Sequence, residues 1–349
     1  MFFASDNWAG ASDRVRAAIE ASAAGFAPAY GSDDLTARVT AAMSALFERE
    51  VAVRLVPTGT AANMLSLAAL APSTGVIFAH AQAHVIHDEC GAVELATGGA
   101  RLHGLAGVGG KVTVAALEAA LAEVPRHPRF RQPAALSLTQ ATECGTLYAP
   151  DEIAALTAVA RAKGLGVHMD GARFANAVAG LGVSPAEITW KAGIDVLSFG
   201  GTKNGALMAE AVVFFGQRDL FAFDQLRQRL GHGVSKLRPL AAQFLALLED
   251  GHWLDLARHA NAMAARLAAG IVEAGGRLAW PTQANEVFAI LPRTVIARLE
   301  ARGAAFYEWP ALNLPPGERV GGDEAMIRLV CSFATTPEDV DRLIAAARG

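Results

Sequence analysis

Lysine is scarce in this chain: Lys and Arg together number 30, yet the only lysines are Lys111, Lys163, Lys191, Lys203 and Lys236. Lys163 precedes a helix-ending glycine and Lys191 follows a helix-like stretch, ordinary positions facing a helix dipole. Lys203 alone stands in a glycine-rich loop. Cysteine is scarce as well, and Cys90, Cys144 and Cys331 lie far apart without CxxC spacing, which excludes a disulfide framework and fits reduced thiols. Charged residues make up only 18% of the chain and the net charge is −4, so neither nucleic acid nor an anionic membrane is expected as a partner. No run of eighteen uncharged apolar residues could span a bilayer. MFFASDNWAG turns polar before an apolar core accumulates, so no signal peptide is expected and the expected location is cytoplasmic. Internal repeats and low-complexity linkers are missing too.

What remains is a chain of 349 residues, 52% apolar, long enough to bury a large core and expected to form two domains. The pattern centres on residues 164–205. Gly166–Met169 reads as a buried strand ending in an acid, Asp170, and Asp195–Phe199 as a second strand ending in Gly200-Gly201-Thr202-Lys203. These look like two consecutive βα units of an α/β fold with a mostly parallel sheet. In open α/β sheets ligands gather at the carboxyl ends of strands, so Asp170 and Lys203 are expected in one crevice. Taken singly, Asp170 could cap a helix and Lys203 could be a solvated loop lysine. As a pair they suit pyridoxal phosphate, which needs a lysine for its aldehyde and a carboxylate against its pyridinium nitrogen.

Other segments supply further parts. Ala52–Val56 reads as a strand, and Pro57-Thr58-Gly59-Thr60-Ala61-Ala62-Asn63 leads into a helix over Met64–Leu70. Glycine and hydroxyl residues at a helix start make an anion site, although GxxxxGK[ST] is missing and this is no P-loop. After a strand at Gly75–Ala79 come His80, His84 and His87, which share one face if helical. The spacing lacks HExxH and no second ligand pair is evident, so no metal is expected; one histidine could instead stack on a cofactor ring or act as a base. Gly98–Gly110 reads as glycine-rich surface. Ala134–Leu138 reads as a strand with Thr139-Gln140-Ala141-Thr142-Glu143 at its carboxyl end, and Arg173 follows Asp170 closely enough to meet a carboxylate with its planar fork. Leu220 to about Gly275 reads as mainly helical. The tail alternates strands and helices, and within it Arg328 interrupts an apolar strand, where it either faces solvent or awaits an anion.

These parts, in this order, resemble the threonine aldolases of the beta-eliminating lyase group, within the fold type I pyridoxal-phosphate enzymes. The resemblance runs from Ser5-Asp6 through Tyr30-Gly31, PTGTAAN, Ala83-His84, His168-Met169-Asp170-Gly171-Ala172-Arg173 and the Lys203 segment to Ile327-Arg328-Leu329-Val330. It implies a large cofactor-binding domain over 1–245, with an N-terminal arm, and a small α+β domain over 246–349. It also implies that Lys203 carries the cofactor, Asp170 pairs with the pyridinium nitrogen, Gly59 and Thr60 bind the phosphate, and His84 stacks on the ring. Arg173 and Arg328, with Ser5, would hold an amino acid carboxylate, and Arg173 could instead meet the cofactor's phenolic oxygen. Dimers or tetramers with sites at subunit interfaces are implied, Tyr30 or the Arg227–Lys236 region serving a neighbour's site. Departures are Gly-Gly-Thr before the lysine, Gln140-Ala141 where an Asn-Thr pair is common, and His87-Asp88 beside His84.

The expected reaction is retro-aldol cleavage of an L-β-hydroxy-α-amino acid, L-threonine or L-allo-threonine, to glycine and an aldehyde, with His84 or His87 removing the hydroxyl proton directly or through water. The same constellation supports β-elimination, racemisation, hydroxymethyl transfer or transamination. A non-catalytic cofactor-binding module is the other class, though such a relative would be expected to have lost one of these groups.

Overall fold

The computed structural model describes residues 1–349 apart from Gln217. Helices α1 (Asp13–Ser22) and α2 (Asp34–Leu46) precede β1 (Ala52–Val56), α3 (Gly59–Ala68) and β2 (Gly75–His80). Then come α4 (His84–His87), α5 (Ala92–Thr97), β3 (Arg101–Leu105), α6 (Val114–Ala122), β4 (Gln132–Thr139), α7 (Pro150–Ala162), β5 (Gly166–Gly171), α8 (Phe174–Leu181), β6 (Val196–Gly200) and β7 (Glu210–Phe214). Helices α9 (Phe221–Arg229), α10 (Arg238–Leu248) and α11 (His252–Glu273) lead to β8 (Arg277–Leu278), β9 (Glu286–Pro292), α12 (Arg293–Ala301), β10 (Tyr307–Glu308), β11 (Glu324–Val330) and α13 (Pro337–Arg348). Local chemistry sets many of these starts. The side chains of Ser12, Asp33, Thr58, Thr113 and Thr336 each accept an N–H of the first turn of the helix that follows.

The larger sheet has the order β1-β7-β6-β5-β4-β2-β3. Its pairs are parallel from β3 through β6, and only β7 runs against the rest, pairing antiparallel with both β6 and β1. Strands β2, β6 and β7 are buried along their whole length, as apolar runs covered by helices on both faces should be. On one face Phe47, Phe174, Phe199, Phe244 and Trp253 form an aromatic core, and on the other Leu65 and Leu67 of α3 belong to a core with Ile77 and Phe214 of the sheet. Helix α11 joins this body to the next: Trp253 and Ala257 belong to the first core, Ala264, Leu267 and Ile271 to the core of the smaller sheet. That antiparallel sheet has the order β10-β11-β9-β8.

Four expectations are corrected. Helix α3 starts at Gly59, because Thr58 caps it and absorbs the TGT turn into the first turn. Residues 101–105, read as surface, form the edge strand β3, held by parallel pairing to β2 rather than by any apolar run of their own. His80 ends β2 while His84 and His87 lie in a separate short helix, so the three histidines do not share one helix face. Lys203 does not open a second βα unit; it sits in a short turn that returns the chain into the antiparallel β7.

That turn leaves no room at Gly200. A Cβ there would stand 2.5 Å from the Ala172 carbonyl oxygen and 2.8 Å from its Cα, backbone atoms that cannot swing aside. Gly200→Ala should therefore lower stability by roughly 1–3 kcal/mol, the usual cost of overpacking. A denaturation midpoint equal to that of the unaltered protein would contradict this.

Candidate active site

Because every strand of the large sheet but β7 runs the same way, the carboxyl ends of β1, β2, β4, β5 and β6 open on one edge. There the turns holding Gly59 and Thr60, His84, Glu143, Asp170 with Arg173, and Lys203 line one cavity of about 380 Å³. Reversed β7 begins at the same edge and adds Glu210. A second cavity of about 330 Å³ adjoins it, sharing Asn7, His84, Glu143, Arg173 and Lys203, and reaching Ser5, Tyr307, Trp309 and Arg328 of the arm and the small sheet.

Four polar groups form a chain along the first cavity, three of them, Asp170, Asn63 and His84, lining it and Glu89 standing behind. Asp170 is buried at the end of β5; its Oδ1 accepts the Ala172 N–H at 3.0 Å and its Oδ2 accepts from Asn63 Nδ2 at 2.8 Å. Asn63 Nδ2 also donates to Glu89 Oε1 at 2.8 Å, and the same oxygen lies 2.8 Å from His84 Nδ1. The Glu89 hydrogen bond, more than the opposing burial, raises the pKa of His84, so the ring keeps its proton to higher pH than an ordinary histidine. Burial and the nearby Arg173 guanidinium lower the pKa of Lys203, which favours the neutral, nucleophilic amine. Glu210 is pushed up to about 7 by burial, although it accepts the Gly201 N–H at 3.0 Å.

The second cavity is organised by ion pairs. Arg173 grips Asp6 through Nε at 2.8 Å and Nη2 at 3.1 Å, and its Nη2 lies 3.3 Å from Glu286 Oε1. Asn285 Nδ2 donates to Asp6 Oδ2 at 3.0 Å. Burial alone would raise Asp6, but Arg173 and Lys203 outweigh it and hold its carboxyl below the usual range, whereas burial prevails at Glu286 and raises it. Arg328 stands over the Trp309 ring at 4.2 Å and only 4.0 Å from Glu286, its charge less fully matched than that of Arg173. The N-terminal arm reaches this place by pairing: Phe3 N–H donates to Ala305 O and Val330 N–H to Phe3 O, both at 2.8 Å.

Of the residues singled out from sequence, Gly59, Thr60, His84, Asp170, Arg173 and Lys203 line the first cavity, and Ser5 and Arg328 the second. Two are elsewhere. Tyr30 is 60% exposed, in a groove with Arg54, Asp224 and Arg227. His87 is exposed and bonded through Nε2 to the Ala81 carbonyl at 2.6 Å, outside both cavity linings. His168 lies between Ser137 Oγ and Ser198 Oγ, each at 2.9 Å, and burial lowers its pKa to about 4; it is a neutral core residue behind the acid. Sequence reasoning passed over Asp6, Asn63, Glu89, Glu210 and Glu286, and noted Glu143 only as polar. Asn63 closes the PTGTAAN motif and Asp6 follows Ser5, so those two had a signal; Glu286, which opens a strand, had none.

The donor set fits pyridoxal phosphate. A desolvated lysine amine and a buried, hydrogen-bonded carboxylate line one cavity with the first turn of the ten-residue helix α3, whose leading N–H groups have no intrahelical acceptor. A Cβ at Gly59 would meet nothing within 4 Å, so the anion site is open.

Comparison with known proteins agrees with this reading. The chain matches the beta-eliminating lyase family over residues 3–293. It is 41% identical to a low specificity L-threonine aldolase of Pseudomonas sp. (strain NCIMB 10558) and 42% identical to one of Pseudomonas aeruginosa, in each case over 99% of this chain and 96% of the relative. Among solved structures, a threonine aldolase of Leishmania major superimposes with a TM-score of 0.91 at 27% identity, covering 99% of this chain and 98% of that one.

Proposed function

This chain belongs to the beta-eliminating lyase family, and on that premise we propose that it uses pyridoxal phosphate to cleave L-threonine, L-allo-threonine and related L-β-hydroxy-α-amino acids to glycine and an aldehyde. The observation that carries this is a half-buried lysine and a buried carboxylate lining one cavity whose neighbour ends at an arginine. Bound there, the cofactor supplies an electron sink for the pair released when Cα–Cβ breaks. Lys203, whose pKa desolvation lowers, is the amine that would hold the cofactor through its aldehyde. Asp170 holds the proton of the ring nitrogen, and the Asn63 bond keeps its carboxylate oriented. Gly59, Thr60 and the α3 amides take the phosphate, with Thr202 beside them in the wall. His84 covers the ring face, its rotation limited by Glu89.

Arg328 takes the substrate carboxylate, because its charge is less spent than that of Arg173, and Ser5 lines the same cavity. Arg173, already gripped by Asp6 and Glu286, sets the floor on which that carboxylate rests. Holding the amine and carboxylate together would fix the substrate's orientation, and so which bond at Cα breaks.

A dimer or tetramer fits the exposed Tyr30 groove with Arg54 and Arg227, which offers charge and an aromatic ring to a neighbouring subunit's site. Leu207 and Met208, at 60% and 48% exposure, lie near the cavity mouth and would be covered by such a neighbour. No helix among the described residues is long and apolar enough to cross a membrane, and a cytoplasmic location is the one proposed.

The test is release of aldehyde and glycine from L-threonine, L-allo-threonine and L-phenylserine with the cofactor supplied. Equimolar glycine and aldehyde are expected, with the ranking set by how the second cavity takes the β-substituent. A yellow, borohydride-reducible protein that releases no aldehyde would overturn the assignment.

A further inference from the structure

Retro-aldol cleavage needs a base at the β-hydroxyl, and the histidines expected to serve are poorly suited. His87 is exposed and bonded to a backbone carbonyl outside both cavities. His84 lines both, but its Nδ1 is tied to Glu89 and its ring is assigned to the cofactor face.

We infer that Glu143, at the carboxyl end of β4, is the base that takes the β-hydroxyl proton, an inference that rests on the retro-aldol reading above. Glu143 lines both cavities. Its Oε1 accepts the His84 backbone N–H and the Thr139 hydroxyl, both at 2.9 Å, so two elements pin the carboxyl. Its Oε2 is closed off from solvent and has no hydrogen-bond partner. A carboxylate oxygen buried without a donor is costly, and a fold that pins one oxygen while leaving the other bare has kept an acceptor for something that brings its own hydrogen. A hydroxyl on a substrate spanning the two cavities does so once the carboxyl, which belongs to the lining of both, turns Oε2 toward it.

Its surroundings favour reversible proton uptake. The charged and titratable groups around it are Asp170 from β5, His84 from α4, Arg173 before α8, Lys203 after β6, and its neighbours Cys144 and Tyr148. Burial chiefly, with Asp170 adding to it and the hydrogen bonds from the His84 and Glu143 backbone and the Thr139 hydroxyl opposing, raises Glu143 to about 7. In the step itself the hydroxyl O–H bond breaks and its proton goes to Oε2. The O–H electron pair becomes the second bond of the aldehyde carbonyl, the Cα–Cβ bond breaks, and its pair remains on Cα. Cα then takes one proton from solvent to give glycine, and Glu143 returns the hydroxyl proton to solvent, so the proton count closes.

The experiment compares the holoenzyme with Glu143→Gln, which keeps the shape and removes the base. Three readouts are followed: the bound-cofactor absorbance, exchange of the glycine α-proton with heavy water, and aldehyde release from L-threonine across pH. Glycine has no hydroxyl, so its exchange needs Lys203 and Asp170 but no such base. The expected result is aldehyde release reduced roughly 10²–10⁴-fold, the usual worth of a positioned base, with cofactor binding and glycine exchange unchanged within a factor of a few. In the unaltered enzyme kcat/KM should rise with pH through about 7, as Glu143 ionises, and the residual activity of the variant should lack that limb. Release within a few-fold of normal, or a limb that survives the substitution, would overturn the inference. Should Glu143→Gln not fold, Glu143→Asp carries the same test: the limb should remain with a lowered rate, and an unchanged rate would overturn it. If the unaltered enzyme exchanges glycine yet releases no aldehyde from any β-hydroxy substrate, the retro-aldol reading itself falls and takes this inference with it. That outcome is distinct from an active enzyme indifferent to Glu143.

Discussion

Lys203→Ala should abolish aldehyde release, by at least about 10³-fold, because the amine that carries the cofactor covalently has no substitute and removing a covalent group typically costs several powers of ten. The other lysines whose side chains make contacts are occupied elsewhere: Lys111 pairs with Glu152 and Lys191 with Glu48. Neither lines the cavity. The variant should also lose the borohydride-reducible yellow species while still taking up cofactor through Asp170 and the α3 amides. The fold should not suffer. Lys203 is half-buried where desolvation and Arg173 disfavour its charge, so truncation removes a strained group rather than a stabilising one, and the apo-protein's unfolding midpoint should hold or rise. A variant that keeps a reducible cofactor adduct would place the chemistry on another residue.

Arg173→Met should do the reverse, lowering stability strongly even without cofactor. Asp6 and Glu286 are both fully buried in side chain, and Arg173 is the cation that pairs with both. Removing one partner from such a cluster costs about 3–5 kcal/mol, because the charges left behind are neither solvated nor matched. The pH dependence gives the sign. In the unaltered protein Asp6 is held below its ordinary pKa, so its contribution is present above the unfolded value and lost as pH falls through the lower folded one. Without Arg173, burial dominates and raises both carboxyls above their unfolded values, so the deficit should be largest near neutral pH and shrink on acidification. Denaturant unfolding at pH 5 and pH 8 measures this. Adding Asp6→Asn to Arg173→Met should recover part of the loss, since the two residues are in contact and their effects cannot be additive. Equal midpoints for Arg173→Met and the unaltered protein would mean that the cluster is solvated after all.

These two residues also mark how far sequence could be read. Lys203 and Asp170 were legible because their settings are local: a buried apolar run ends, glycines follow, and the charged group must emerge where the strand stops. The same locality made strands Ala52–Val56 and Gly75–His80 readable within a residue. Strand β3 was not legible, because its burial pattern has only one buried residue and each of its residues pairs with one 25 positions away in the chain. Nor was the direction of β7, since an apolar run carries no sign of which way its neighbour points.

The sequence by itself therefore determined which groups emerge at strand ends, and with them the cofactor that could be held there. Tertiary structure alone decided their electrostatic state. Arg173 read as a free fork for a substrate carboxylate until Asp6, brought in by pairing of the arm along the small sheet, and Glu286, at the start of β9, closed on it from 167 and 113 residues away. Glu143 read as one more polar residue until Thr139 and His84 pinned one of its oxygens and the packing shut the other away from water. A side chain's identity is written in the chain, but its charge depends on the solvent it loses and the partners it meets, and both are set only when distant segments pack together.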